Sequence, residues 1–313
     1  MFAPAIWALL LPFMRVLVSV SFKAPLGGLQ AHVCAQLHAI RAGGHTPTLV
    51  CPPGVFAAAM HASGFEVVES DFSGAMPDVL RAAEFALVHA HPFAARKLGL
   101  AVARRLECPF VLTLHGEYTA ALEAYASRVD LLITVSGAAR DYIVKQGLLP
   151  NERVVVIPNG VDLRRYRPGD ERWDDLAGDY PPLARAPIET GQRTILFASR
   201  LDADKAFILD VVQETWAEQA RAQAFDLRWI VAGTGTEEPT LRHCAAELGS
   251  LAGRELVTFL GWVDEDRLAR LYRAADLAVA PGRCALDCMA CGTPVIALGS
   301  RGYIGLINQR NTL

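Results

Sequence analysis

Three cysteines, Cys284, Cys288 and Cys291 in GRCALDCMACGTP, are spaced C-x3-C-x2-C. Thiolates at that spacing can hold a four-iron cluster. Histidines stand at His89 and His91 in VHAHPF and at His115, which closes PFVLTLH. An imidazole there can relay a proton or ligate a metal. His89 and His91 are expected to point to opposite sides of a strand, with only one facing the cleft; no third ligand has suitable spacing, so they read as structural or acceptor-side rather than metal ligands. Two carboxylate pairs, Asp202-x-Asp204 and Asp264-x-Asp266, have the spacing of acids that can share a divalent cation. The first lies between Arg200 and Lys205, in isolation a pair of loop cations. The second starts a helix, where acidic caps are expected. Both pairs read as structural, and no metal is implied. Gly233-x-Gly235 resembles a dinucleotide turn, but the third glycine is absent and Pro239 starts a helix instead, so NAD is not indicated.

These groups are carried by a chain of 313 residues, a length that suggests two domains with separate cores. Apolar residues at 52% and charged residues at 20% exclude a disordered chain and favour a soluble globular one. A net charge of −3 gives no electrostatic case for nucleic acid. Seven cysteines, an odd number widely spread, do not make a secreted disulfide framework and fit a reducing, cytoplasmic compartment. The opening MFAPAIWALLLPFM has no basic n-region and is interrupted by Arg15 before it could span a bilayer. Residues 1–13 therefore read as an upstream extension, with Met14 as the natural start; a weak membrane-associating segment is the alternative. Arg96, Lys97, Arg104 and Arg105 fall on one side of a helix over 93–106. That stripe fits either a solvated face or weak peripheral contact with the inner face of a membrane.

From Arg15 onward, RVLVSVS, HTPTLVC, FALVHAH, PFVLTLH, DLLITVS and RVVVIPN read as buried strands. LQAHVCAQLHAIRAGG, FAARKLGLAVARRL and GAARDYIVKQG between them read as helices. The alternation stops after Asp162. Residues 164–193, rich in proline and charge, read as an interdomain linker. It resumes with TILFAS, LRWIVAG, LVTFLG, DLAVAP and TPVIAL, separated by helices around 207–222, 238–249, 264–274 and 285–291. The fold class is therefore α/β: two doubly wound, Rossmann-like domains over 14–163 and 194–313, facing each other across a cleft at the carboxyl ends of their strands.

In order along the chain stand APLGGLQAHV, LVHAHPF, LTLHGEY, DLLITVS, VIPNGVD, ASRLDADK, VAGTGTEE, FLGWVDEDRLARLY and DLAVAPGRCALDCMACGTPVIA. Their order and spacing resemble a retaining glycosyltransferase of the family 4 type, with the GT-B fold, over nearly everything from Met14 on. By contrast, radical-SAM enzymes place their cysteines early, ahead of a long barrel, whereas these come late. On a helix over 285–291 the three thiols would share one face suited to core packing.

The resemblance implies that the first domain holds an acceptor and the second a nucleotide-diphosphate-sugar donor. That donor is a substrate, and no cofactor is implied. Arg200 and Lys205 match the family's phosphate contacts, and His115 matches the histidine near the donor sugar, so these three are the expected catalytic residues. Gly27, Gly28, Gly233 and Gly235 are expected where backbone approaches the donor. Asp287 begins the helix aimed at the ribose, in place of the family's glutamate and one methylene shorter. The family's first glutamate has no counterpart, since Val279 lies eight residues before Asp287, and the shortened loop puts Arg283 beside the donor. The family also continues past RGYIGLI, which implies a truncated second domain. The acceptor, whether glycan, lipid or small molecule, stays open. So do a noncatalytic nucleotide-sugar-binding relic or regulatory subunit and a nucleotide-sugar epimerase of the same fold.

Overall fold

The computed structural model describes residues 13–22, 27–73, 76–116, 122–299, 302–308 and 310, without the side chain of Tyr303. Residues 1–12 of the upstream extension, and parts of the APLGGLQAHV and LTLHGEY motifs, lie outside the described residues. The chain divides into two compact units between Asn159 and Gly160.

The first unit opens with β1 (Arg15–Ser19), α1 (Gly28–Ala42), β2 (Thr46–Cys51), α2 (Val55–Ala62), β3 (Glu66–Glu69) and α3 (Asp78–Ala82). It continues through β4 (Leu87–Ala90), α4 (Ala94–Leu106), β5 (Phe110–Leu114), α5 (Glu123–Ala126), β6 (Leu131–Thr134), α6 (Gly137–Lys145) and β7 (Val154–Val156). The strands form one sheet in the order β3-β2-β1-β4-β5-β6-β7, every pairing parallel. All five residues of β5 are buried because helices cover both faces, which is why these strands read as unbroken apolar runs. Val16, Val18 and Leu49 pack with α1 and α2 on one face, while Leu17, Val88 and Leu112 pack toward α4 and α6 on the other. Ser136 caps α6, its hydroxyl accepting from the Ala139 amide at 3.2 Å.

The second unit begins with α7 (Trp173–Leu176) and α8 (Pro181–Arg185), followed by β8 (Arg193–Ala198), α9 (Ala206–Arg221), β9 (Leu227–Ala232) and α10 (Glu238–Ala252). Then come β10 (Val257–Gly261), α11 (Glu265–Ala274), β11 (Leu277–Pro281), α12 (Arg283–Ala290), β12 (Val295–Gly299) and β13 (Gly302–Leu306). Their order is β10-β9-β8-β11-β12-β13, parallel except for the antiparallel β12–β13 pair. Phe197, Trp229 and Val231 pack against α9 and α10, whereas Ala198, Ala232 and Ala280 face α11 and α12.

Residues 164–193 behave differently from a bare linker. Tyr166, Trp173, Leu176, Tyr180 and Leu183 bury themselves in the core beneath α11 and α12. Trp173 donates its indole N–H to Thr194 at 3.1 Å. Arg270 pairs with Asp179 at 2.6 Å, and Arg273 with Glu171. Spaced aromatic anchors with no repeat carry no period, so the segment's charge and proline dominated its sequence signal. The short strand β3, with both glutamates exposed at the sheet edge, was missed for a related reason.

The basic stripe on α4 is broken. Arg96 is buried, its guanidinium 5.4 Å from the Tyr125 ring centroid. Arg105 donates to the carbonyls of Leu80 and Ala83 at 3.0 and 2.8 Å. Its charge thus satisfies backbone rather than forming part of a lipid-facing row. No helix among the described residues is long and apolar enough to cross a membrane.

Candidate functional site

In the second unit, chain order reverses between β8 and its neighbour β11, where Phe197 stands opposite Val279. The helix following β8 covers one face of the sheet and the helix following β11 covers the other. Parallel neighbours whose crossovers leave in opposite directions open a crevice at their carboxyl ends. Arg200 follows β8 there, Gly233 follows β9, and Arg283 and Asp287 follow β11.

Arg200 is held at this edge by carboxylates. It donates through Nη1 to Asp202 Oδ2 at 2.6 Å and through Nη2 to Asp204 Oδ2 at 2.7 Å. Lys205 Nζ lies 3.6 Å from the same Asp204 oxygen. Both cations therefore address a single oxygen position. Their side chains are 24% and 20% exposed, turned neither to bulk solvent nor fully into the protein. Asp202 also accepts from the Thr236 amide at 3.2 Å, tying the cation loop to the glycine turn. The other carboxylate pair divides its work, with Asp264 capping α11 through the Arg267 amide at 3.0 Å and Asp266 pairing with Arg165 at 2.6 Å.

Gly233 and Gly235 have a physical reason to be glycine that lies within the protein. A Cβ on Gly233 would stand 1.8 Å from the Ser199 carbonyl oxygen, and one on Gly235 would stand 2.2 Å from the Leu201 carbonyl carbon. Gly233 also has φ +148, which L side chains rarely adopt. Across this contact the Leu201 amide donates to Thr234 O at 3.0 Å and the Glu237 amide to Leu201 O at 2.8 Å. The turn is thus pressed against the backbone on both sides of Arg200.

Asp287 lies in the second turn of α12 rather than at its start, because the helix begins directly at Arg283. It is 6% exposed, and Oδ1 has no hydrogen-bond partner among the described residues. Burial pushes its pKa from 3.8 up to about 6, Arg283 pulls it back, Glu265 raises it further and Arg165 lowers it. Glu265 and Arg165, themselves ion-paired, were not singled out from sequence; they meet Asp287 only in three dimensions. Val279 is buried within β11, and only Gly282 separates that strand from α12.

A raised folded-state pKa favours the native state at low pH, and that stabilisation is lost as pH rises through the folded value. Asp287 therefore stabilises the fold below about pH 4 and loses this contribution by about pH 7. Asp287→Asn is expected to remove that pH dependence and to gain on the order of 1–3 kcal/mol relative to the native chain at pH 8. Urea unfolding of both proteins at pH 4.5 and pH 8 measures it; equal pH dependence in the two would refute the assignment.

Cys284 and Cys288 on α12 and Cys291 just past its end together form a core stripe. Cys288 and Cys291 are buried among Tyr272, Ala280 and Val295. Burial pushes all three thiols up, away from the thiolate form that iron–sulfur ligation requires.

In the first unit, Gly27 and Gly28 start α1, with the Gly27 amide donating to Gln30 Oε1 at 3.1 Å. His115, just beyond β5, meets His91, just beyond β4, with Nε2 to Nδ1 at 2.8 Å. The expectation that His89 and His91 point to opposite sides fails, because residues two apart along a strand share a face, and the two rings stack at 5.2 Å between centroids. The statement that no third ligand accompanies them fails as well. His32 on α1 brings a ligand nitrogen within 4.8 Å of those of His91 and His115. Sequence spacing could not reveal it, since His32 lies on a helix far from both strands in the chain.

A family model described as Glycosyltransferase Family 4 matches residues 26–165, and one described as Glycosyl transferases group 1 matches residues 192–312. The chain is 32% identical over 243 residues to D-inositol 3-phosphate glycosyltransferase 2 of Catenulispora acidiphila, covering 67% of this chain and 54% of that protein. It is 30% identical over 294 residues to D-inositol 3-phosphate glycosyltransferase of Frankia alni, covering 80% and 69% respectively. It thus spans about half the length of the first of these relatives. Among solved structures, Anabaena HepE in complex with UDP and glucose matches with a TM-score of 0.71 at 19% identity, covering 91% of this chain and 80% of that one. At that identity the likeness concerns the fold.

Proposed function

The chain belongs to glycosyltransferase family 4, and from that premise we propose that it moves a sugar from a nucleotide-diphosphate donor to an acceptor hydroxyl with retention of configuration. One observation carries the proposal: Arg200 and Lys205 converge on one oxygen position at the reversal point of the second sheet. As the glycosidic bond breaks, negative charge grows on the diphosphate. Stabilising it there lowers the barrier. Arg200 offers a planar fork for two oxygens and Lys205 a point charge. The donor's phosphate oxygens compete for both cations with Asp202 and Asp204. A departing phosphate oxygen then takes the acceptor proton on the same face of the sugar, so no dedicated carboxylate base is needed.

Asp287, with an unpartnered oxygen, is suited to accept hydrogen bonds from ribose hydroxyls, and Arg283 adds positive charge beside it. UDP, bound in the Anabaena protein, is the first nucleotide to test. The names of the relatives make a phosphorylated cyclitol the first acceptor.

A noncatalytic nucleotide-sugar binder is favoured by one feature, the buried Val279 where the family carries its first glutamate. Release of nucleoside diphosphate separates the two. With UDP- and GDP-sugars and an inositol phosphate present, the transferase releases nucleoside diphosphate in step with glycosylated product. Binding without release across the panel would leave only the relic.

A further inference from the structure

We propose that His32, His91 and His115 form a binding site for a divalent transition-metal ion of the zinc class, with one coordination position left open. All three belong to the first unit. Their site lies where that sheet's own order reverses, between β1 and β4. The three ligand nitrogens lie within 4.8 Å of one another. Zinc–imidazole bonds of about 2.0–2.1 Å in tetrahedral geometry place the nitrogens roughly 3.3 Å apart, a distance reached by small ring rotations. The His32 ring packs edge-on to His115 and His91, at 4.6 and 5.7 Å between centroids, so its position is fixed by both partners.

The surrounding hydrogen bonds set the ring that is most buried. Gln36, one helical turn after His32, presents Oε1 to His91 Nε2 at 2.9 Å and Nε2 to His89 Nδ1 at 2.5 Å. His89 closes the chain through Nε2 to Thr113 Oγ1 at 2.7 Å. With the amide so oriented, His89 and His91 both carry their proton on Nε2. The lone pair of His91 Nδ1 then faces the other two histidines. An imidazole whose far N–H is held by a fixed acceptor is the usual arrangement of a metal-binding histidine. His91 is fully buried and His89 nearly so. In the metal-bound form His115 carries its proton on Nδ1, and the ion replaces the hydrogen now shared between Nε2 and His91. Three nitrogen donors with no carboxylate among them select zinc, cobalt, nickel or copper over magnesium and calcium.

The test uses the untagged full chain, freed of metal by a chelator and titrated with Co2+. One equivalent is expected to bind, with the intense visible absorption of tetrahedral cobalt, and Zn2+ is expected to displace it. His32→Ala, whose ring is only partly buried, is expected to weaken Co2+ by about 100-fold while keeping the native far-ultraviolet circular dichroism. Gln36→Leu, which leaves all three ligands in place, is expected to weaken it by about tenfold. Absence of tetrahedral absorption in the native chain, or equal Co2+ affinity in the folded His32→Ala protein, overturns the proposal. Both readouts concern the first unit, so their failure leaves diphosphate binding in the second unit untouched.

Discussion

Gly233→Ala is expected to destabilise the second unit more than any other single methyl group added to its glycine turns. The new Cβ would fall 1.8 Å from the Ser199 carbonyl oxygen, and the residue would remain at φ +148. Neither strain can be relieved by a rotamer change, because the obstacle is backbone. The loss is expected at roughly 3–5 kcal/mol of unfolding free energy. Relaxation must displace the Ser199–Leu201 strap, so nucleotide affinity should fall in whatever fraction still folds. Gly178→Ala, with nothing within 4 Å of its added Cβ, is the matched control and should change stability by less than about 0.5 kcal/mol. Urea unfolding of the three proteins measures the effect. Equal midpoints for Gly233→Ala and the control would show that the turn does not press on the Arg200 loop as described.

Arg200→Ala should lower the rate of sugar transfer more than any change at the ribose-facing helix. Removing a charge-assisted contact to the departing diphosphate costs about 1.5–3 kcal/mol of binding. Because charge is greatest on that group in the transition state, the loss in kcat/KM should exceed the loss in donor affinity. Lys205→Ala should behave alike but less severely, since a point charge lacks the two-oxygen geometry of guanidinium. For the same reason Arg200→Lys should recover only part of the activity. Kinetics with donor and acceptor both varied separates the effects. An unchanged kcat/KM in Arg200→Ala would remove that residue from the reaction.

The fold was largely legible because its strands are buried on both sides. FVLTL and LLIT carry few polar interruptions, and the helices between them end where glycine or an exposed turn allows. The helix expected over 207–222 lies at 206–221, and that over 264–274 at 265–274. Family 4 membership was likewise readable, since nine motifs in order constrain far more than any one of them. What stayed hidden depends on contacts between distant parts of the chain. The aromatic anchors from Tyr166 to Leu183 have no period, so only the structure reveals them as core. Arg96 reads as surface charge until Tyr125 is seen to cover it. Likewise, His32 joins His91 and His115 only once a helix folds over the ends of two strands, and Arg165 meets Glu265 across a hundred residues of chain.

A titration comparing nucleoside diphosphate with plain nucleoside tests the central claim most directly, because the two ligands differ only in the group that Arg200 and Lys205 are assigned to hold. The native chain should prefer UDP over uridine, or GDP over guanosine, by at least about tenfold, and that preference should disappear when both cations are replaced by alanine. A preference of unchanged size in the doubly substituted protein would contradict the claim.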